Sequence, residues 1–144
     1  MNDSAFSDSV DALIQARETR NWLSALPTRP TSEAEAYAIQ DAVARRLGPV
    51  VAWKVGARTP DSEPFRAPIH ADTLFFDTTV LPAADYQVIG MEAEIAYKFA
   101  KDLPPRAEPY SREEVLDAVE SVHPAFEIVD TRFAGFGSQD WFSH

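Results

Sequence analysis

Cysteine is absent, which excludes disulfides, thiolate catalysis and thiolate metal sites together. Positive charge is scarce: 13 Lys and Arg stand against 23 Asp and Glu, a formal net charge of −10. Such a balance disfavours a nucleic-acid backbone or an anionic membrane surface as partner. It leaves room for a small anionic substrate, because a local cation reverses the field inside a site. There is no apolar run of membrane-spanning length, no internal repeat and no low-complexity segment. The opening Met1-Asn2-Asp3-Ser4 lacks the basic region and apolar stretch of a signal peptide. These absences point to a cytoplasmic protein with neither a membrane nor a nucleic-acid partner. What is present is ordinary. The chain has 144 residues and a 45% hydrophobic fraction, which suits a globular domain with its own core.

Two helices are expected first. Ser4 or Ser7 can cap one in which Val10, Leu13, Ile14 and Arg17, then Trp22, Leu23 and Leu26, recur at helical spacing until Pro27 and Pro30. Ser32 and Glu35 form a Ser-x-x-Glu capping box for the second. Ala36, Ile39, Val43 and Leu47 make its stripe, and Gly48-Pro49 stops it. Residues 1–49 therefore read as an N-terminal helical region and 50–144 as a β-rich one, an α+β chain.

From Val50 the period becomes two. Val51, Trp53 and Val55 share one face of a strand; Ala52, Lys54 and Gly56 share the other. Residues 57–72 read as a loop. Short strands are expected at 73–76, 78–81 and 86–89. A longer one is expected from Gly90 until Leu103-Pro104-Pro105 ends it, with Ala93, Ile95, Tyr97 and Phe99 on one face and Glu92, Glu94, Ala96 and Lys98 on the other. Ser111 and Glu114 form another capping box, opening a helix with Val115, Val119 and Val122 in its stripe and His123-Pro124 at its end. A last strand follows, with Glu127 beside Ala125. The final segment carries four aromatics without periodicity, so its rings dock on the body or on a partner, or the native chain runs on past His144.

Glu92 and Glu94 on one strand face raise each other's cost. The plain reading is a solvated edge strand. The other is a cation site. Small neighbours (Ala96, Ala125, Ala52, Gly56) leave space over Glu92, Glu94, Glu127 and Lys54, as a ligand pocket needs. Carboxylates without His or Cys suit a hard ion, Mg²⁺ or Mn²⁺, rather than zinc.

The same residues carry a likeness. Trp53-Lys54-Val55-Gly56, then Gly90-Met91-Glu92-Ala93-Glu94-Ile95-Ala96, Leu103-Pro104, and Val122-His123-Pro124-Ala125-Phe126-Glu127-Ile128-Val129-Asp130-Thr131-Arg132 occur in that order. This run resembles the fumarylacetoacetate hydrolase superfamily, in its 2-keto-4-pentenoate hydratase / 4-oxalocrotonate decarboxylase branch. The resemblance implies a divalent-metal site with Glu92, Glu94 and Glu127 as ligands and Lys54 as the active-site lysine. It implies a lyase, a hydratase or decarboxylase of a short unsaturated 2-oxo or 2-hydroxydienoic acid in aromatic-compound catabolism, working through a metal-stabilised enolate. Hydrolysis of an acylpyruvate C–C bond is the alternative within the superfamily. The resemblance also implies part of a mixed β-barrel or roll, since related chains continue for roughly a hundred residues more. A non-catalytic truncated module is thus the alternative outside enzymes, and an exposed sheet edge would favour a homo-oligomer.

Other residues have structural expectations. His70 and His123 are expected to be structural and Glu114 a cap. Asp72 and Asp130 serve turns or the surroundings of a metal equally well. Arg132 is expected in an exposed ion pair, although it could bind a substrate carboxylate. Trp22, Trp53 and Trp141 are expected in the core.

Overall fold

The computed structural model describes residues 3–77, 80–140 and 142–143. Thr78 and Thr79 of the strand expected at 78–81, and Trp141, lie outside the described residues. The chain is α+β. Among the described residues its strands form two separate two-stranded antiparallel sheets. No helix among them is long and apolar enough to cross a membrane. The chain divides into two compact units, Met1–Gln87 with Thr131–His144, and Val88–Asp130. This division runs through residues 50–144 as well as joining the N-terminal helices to the final segment.

The first unit holds the core. Helix α1 spans Asp3–Thr19 and α2 spans Glu33–Leu47. Val10 and Ile14 of α1 and Ile39 of α2, members of the stripes the helical spacing predicts, are buried, and so are Ala16 and Ala44 to the side of those stripes. Arg46 of α2 pairs with Asp11 of α1. α1 stops at Thr19 rather than continuing to Leu26. Arg20 adopts φ 57°, still donating its N–H to Ala16 O at 2.9 Å. A left-handed residue at that position ends a helix whatever apolar spacing follows. Leu23 joins a short parallel bridge with Phe133 instead. Its N–H donates to Arg132 O at 2.9 Å and its carbonyl accepts from Ala134 N–H at 2.8 Å. Phe133 is 2% exposed, so one aromatic of the final segment docks on this unit.

The Ser32 cap forms, with Oγ accepting from Glu35 N–H at 3.3 Å. Glu35 reaches back to Thr31, accepting from its N–H at 2.8 Å and its hydroxyl at 2.9 Å, one residue earlier than a capping box requires. Gly48 caps the helix at φ 107°, a conformation few other residues adopt.

Strand β1, Val50–Gly56, pairs with β2, Phe65–His70. β2 lies inside the stretch expected to be loop. Its Pro68 faces Trp53 in a two-stranded sheet, where a missing N–H can point away from the partner. Arg66 ties this sheet to α2. Its guanidinium lies 4.9 Å from the Tyr37 ring centre and 5.0 Å from that of Trp53, and it pairs with Asp41 at 3.3 Å. The segments 73–76 and 86–89 form no strands; single 3₁₀ turns at Ala71–Thr73 and Ala83–Asp85 punctuate this region.

The second unit is a long ribbon with one short helix. β3 spans Gly90–Phe99, α3 Arg112–Ala118 and β4 Val119–Val129. Both halves of the Ser111–Glu114 capping box are present, at 3.2 and 2.7 Å. The helix is shorter than its apolar spacing implies, because Val119 and Val122 belong to β4. β-branched residues fit a pleated strand at least as well as a helix. Arg106 closes the connecting loop, bonding Glu114 at 2.7 and 2.8 Å and stacking over Tyr110 at 3.7 Å.

Candidate metal centre

The ribbon's register builds the site. Glu92 stands directly opposite Glu127, and Glu94 opposite Ala125. Directly opposed residues share a face, and diagonal neighbours remain within reach of long side chains. All three carboxylates therefore project from one face. One ligating oxygen from each lies within 4.8 Å of the others. Glu92 is exposed; Glu94 and Glu127 are half-buried, and Glu127 Oε2 is shielded from solvent.

That spacing fits a hard cation. Metal–oxygen bonds of about 2.1 Å place ligand oxygens about 3.0 Å apart in cis and about 4.2 Å in trans. Three oxygens within 4.8 Å can close on such an ion with small side-chain movements. Without a cation, unit charges at this range repel by roughly 1 to 4 kcal/mol per pair, depending on the local dielectric. The donor set is all carboxylate, the preference of Mg²⁺ or Mn²⁺ over zinc. Ala96 and Ala125 flank Glu94 on this face and add only methyl groups.

Lys54 lies on β1 in the first unit, half-buried and opposite Ala67. The expected opening at Gly56 is taken. A Cβ there would sit 2.6 Å from Cζ of Phe65, the residue Gly56 pairs with. Glycine at 56 thus admits the Phe65 ring rather than a ligand. Of the four site residues read from the sequence, the three glutamates meet on one ribbon face, and Lys54 belongs to the other compact unit.

The remaining candidates have defined roles. Asp130 Oδ1 accepts from Val88 N–H at 3.0 Å and ties the two ends of the ribbon segment. Asp72 pairs with Arg17 at 3.3 Å. His70 is buried, with Nδ1 3.2 Å from Gly48 O. Trp53 is half exposed rather than core. Glu114 is a cap, and its carboxyl is lowered to about 2, first by Arg106 and then by Ser111 N–H. His123 is in β4, not at a helix end, and lies on the carboxylate face opposite Ala96. Its Nε2 is 2.8 Å from Ser121 Oγ. The signal for it was available: the alternation of Ala125 and Glu127 extends upstream through 123 and 121.

No protein-family model matches the chain, and no curated protein matches it.

Proposed function

We propose that this chain binds Mg²⁺ or Mn²⁺ through Glu92, Glu94 and Glu127 and acts as a hydratase or decarboxylase of a short unsaturated 2-oxo or 2-hydroxydienoic acid. The single observation that carries the reading is the register that sets Glu92 against Glu127 with Glu94 one step along. The likeness to the fumarylacetoacetate hydrolase superfamily supplies the reaction class. The bound ion would supply Lewis acidity toward the substrate's carboxylate and its 2-oxo or enol oxygen. Glu92, Glu94 and Glu127 hold the charge that fixes it. Ala96 and Ala125 would be the small side chains beside a short acyl chain, with His123 opposite Ala96 on the same face. The net charge of −10 does not oppose an anionic substrate if a bound cation sets the local field.

A second reading is favoured by one observation: Met91, Ile95, Tyr97, Val122 and Phe126 of the ribbon are exposed. A non-catalytic module that binds metal and waits for a covering partner fits that equally. Turnover of 2-hydroxypenta-2,4-dienoate separates the two. Mg²⁺-dependent product formation that disappears in Glu94→Gln supports the enzyme. Metal binding without turnover supports the module, and an unaltered rate in Glu94→Gln sinks the metal assignment.

A further inference from the structure

The apolar stripe of α2 is not sealed. Ala36, Ile39, Val43 and Leu47 all line a cavity of about 700 Å³, and of the four only Ile39 is buried. Leu13 of α1 and Phe65 of β2 line it as well. Every residue of its wall belongs to Met1–Gln87 or Thr131–His144, so the cavity is a property of the first unit alone. Lys54 and the three glutamates take no part in it. Its volume is that of a small-molecule site, about 300 to 1,000 Å³.

The wall is not purely apolar. An unfilled packing void has apolar walls and stays dry. Here Arg17, Gln40 and His70 share the lining, and His70 is 5% exposed. Gln40 donates through Nε2 to Arg66 O at 3.3 Å, while its Oε1 is shielded from solvent with no hydrogen-bond partner among the described residues. A buried acceptor in that condition is costly and marks a place where a donor is missing.

Arg17 gives the cavity its selectivity. It sits in the apolar stripe of α1, one turn from Leu13, where a charge is costly without a partner. Its side chain is 23% exposed. Among the described residues its guanidinium makes one ion pair, Nη2 to Asp72 Oδ2 at 3.3 Å, and the Asp72 side chain is 68% exposed. That contact engages one of five donors. The planar fork can instead take a ligand's carboxylate through two parallel bonds. The surrounding charge also favours an anion. Arg66 and Arg132 line the cavity too, so three of the chain's 13 Lys and Arg meet at one place in a protein of net charge −10. Arg66 is already engaged by Asp41. The acidic residues of the wall are Glu33 and Asp140. Asp140 is paired with Arg29 at 2.6 Å, and Glu33 is exposed in the first turn of α2.

We propose that this cavity binds a small monocarboxylic acid with an apolar or aromatic body. Arg17 pairs with the carboxylate, and the body lies against the α2 stripe. The inference is independent of any metal at Glu92, Glu94 and Glu127.

Calorimetric titration of the full chain, without added divalent ions, tests it with 2-naphthoate and the neutral isostere 2-naphthamide. The acid should bind at least about tenfold more tightly than the amide, the worth of a hydrogen-bonded charge. Arg17→Gln should bring the acid down to the amide's affinity and leave the amide unchanged. Val43→Trp, which fills the cavity, should abolish binding of both. Glu94→Gln should bind the acid as the parent does, which separates this site from the metal centre. No binding of naphthoate at millimolar concentration overturns the proposal. Equal affinity for acid and amide, a preference for the acid that survives Arg17→Gln, binding that persists in Val43→Trp, or loss of naphthoate binding in Glu94→Gln overturns it as well. If Arg17→Gln fails to fold, the comparison of acid with amide on the parent chain still decides.

Discussion

The two antiparallel sheets are built alike and supported differently. β1 and β3 each alternate an apolar face with a small or charged one, and Val51, Trp53 and Val55 of β1, like Met91, Ile95 and Tyr97 of β3, are exposed. Yet β1/β2 belongs to a unit with buried Val10, Ile14, Ile39 and Phe133, and is clamped to α2 through Arg66. β3/β4 lies in a unit held by its own ladder, a capped helix and the Arg106 loop. The comparison teaches that alternation identifies a strand's two faces but not which of them will be covered. It also separates stability from chemistry: the candidate metal ligands are on the ribbon with the smaller core.

That contrast can be broken most forcefully in the first unit. Phe133→Ala should cost about 3 to 5 kcal/mol, since a fully buried ring is replaced by a cavity. Chemical denaturation checks it. A loss below about 1 kcal/mol would mean that the final segment does not anchor this unit. Next in size is the metal effect on the second unit. Mn²⁺ at a hundredfold excess over its dissociation constant should stabilise the protein by about 2.7 kcal/mol. Glu94→Gln should abolish the corresponding rise in melting temperature. A smaller effect sharpens how far the ribbon relies on local structure. Ser111→Ala removes the acceptor for Glu114 N–H and should cost about 1 kcal/mol, measured by urea denaturation.

The smallest effect is in acid. Glu114 is held down from 4.5 to about 2 by Arg106 and Ser111. A lowered folded value means that its contribution is complete above pH 4.5 and fades as pH falls toward 2. Because the group is exposed, the slope is shallow. Arg106→Ala should flatten it further, and an unchanged acid limb would remove Arg106 as the cause.

Much of this architecture was legible. The stripes of α1 and α2, the caps at Ser32 and Ser111, and the faces of β1 and β3 follow from period and capping chemistry. The clustering of Glu92, Glu94 and Glu127 was readable only as a possibility, because strand pairing is long-range and a one-residue slip would have put Glu127 on the other face. Two kinds of information were hidden. Backbone choices such as the left-handed Arg20 cut α1 short despite apolar Trp22, Leu23 and Leu26. Proline masked strands: Pro68 made β2 look like loop, and Pro124 made the start of β4 look like the end of a helix, concealing His123 on the carboxylate face. Glycine also misled once, since Gly56 makes room for Phe65 and not for a ligand beside Lys54.

The central claim is that Glu92, Glu94 and Glu127 act as one cation site. Mn²⁺ titration followed by electron paramagnetic resonance tests it most directly. The account predicts one Mn²⁺ bound per chain, with affinity falling at least tenfold in Glu127→Gln and in Glu94→Gln and unchanged in Glu113→Gln, an acidic residue of α3 outside the cluster. Equal binding by all four proteins, or no binding by the parent chain, would contradict it.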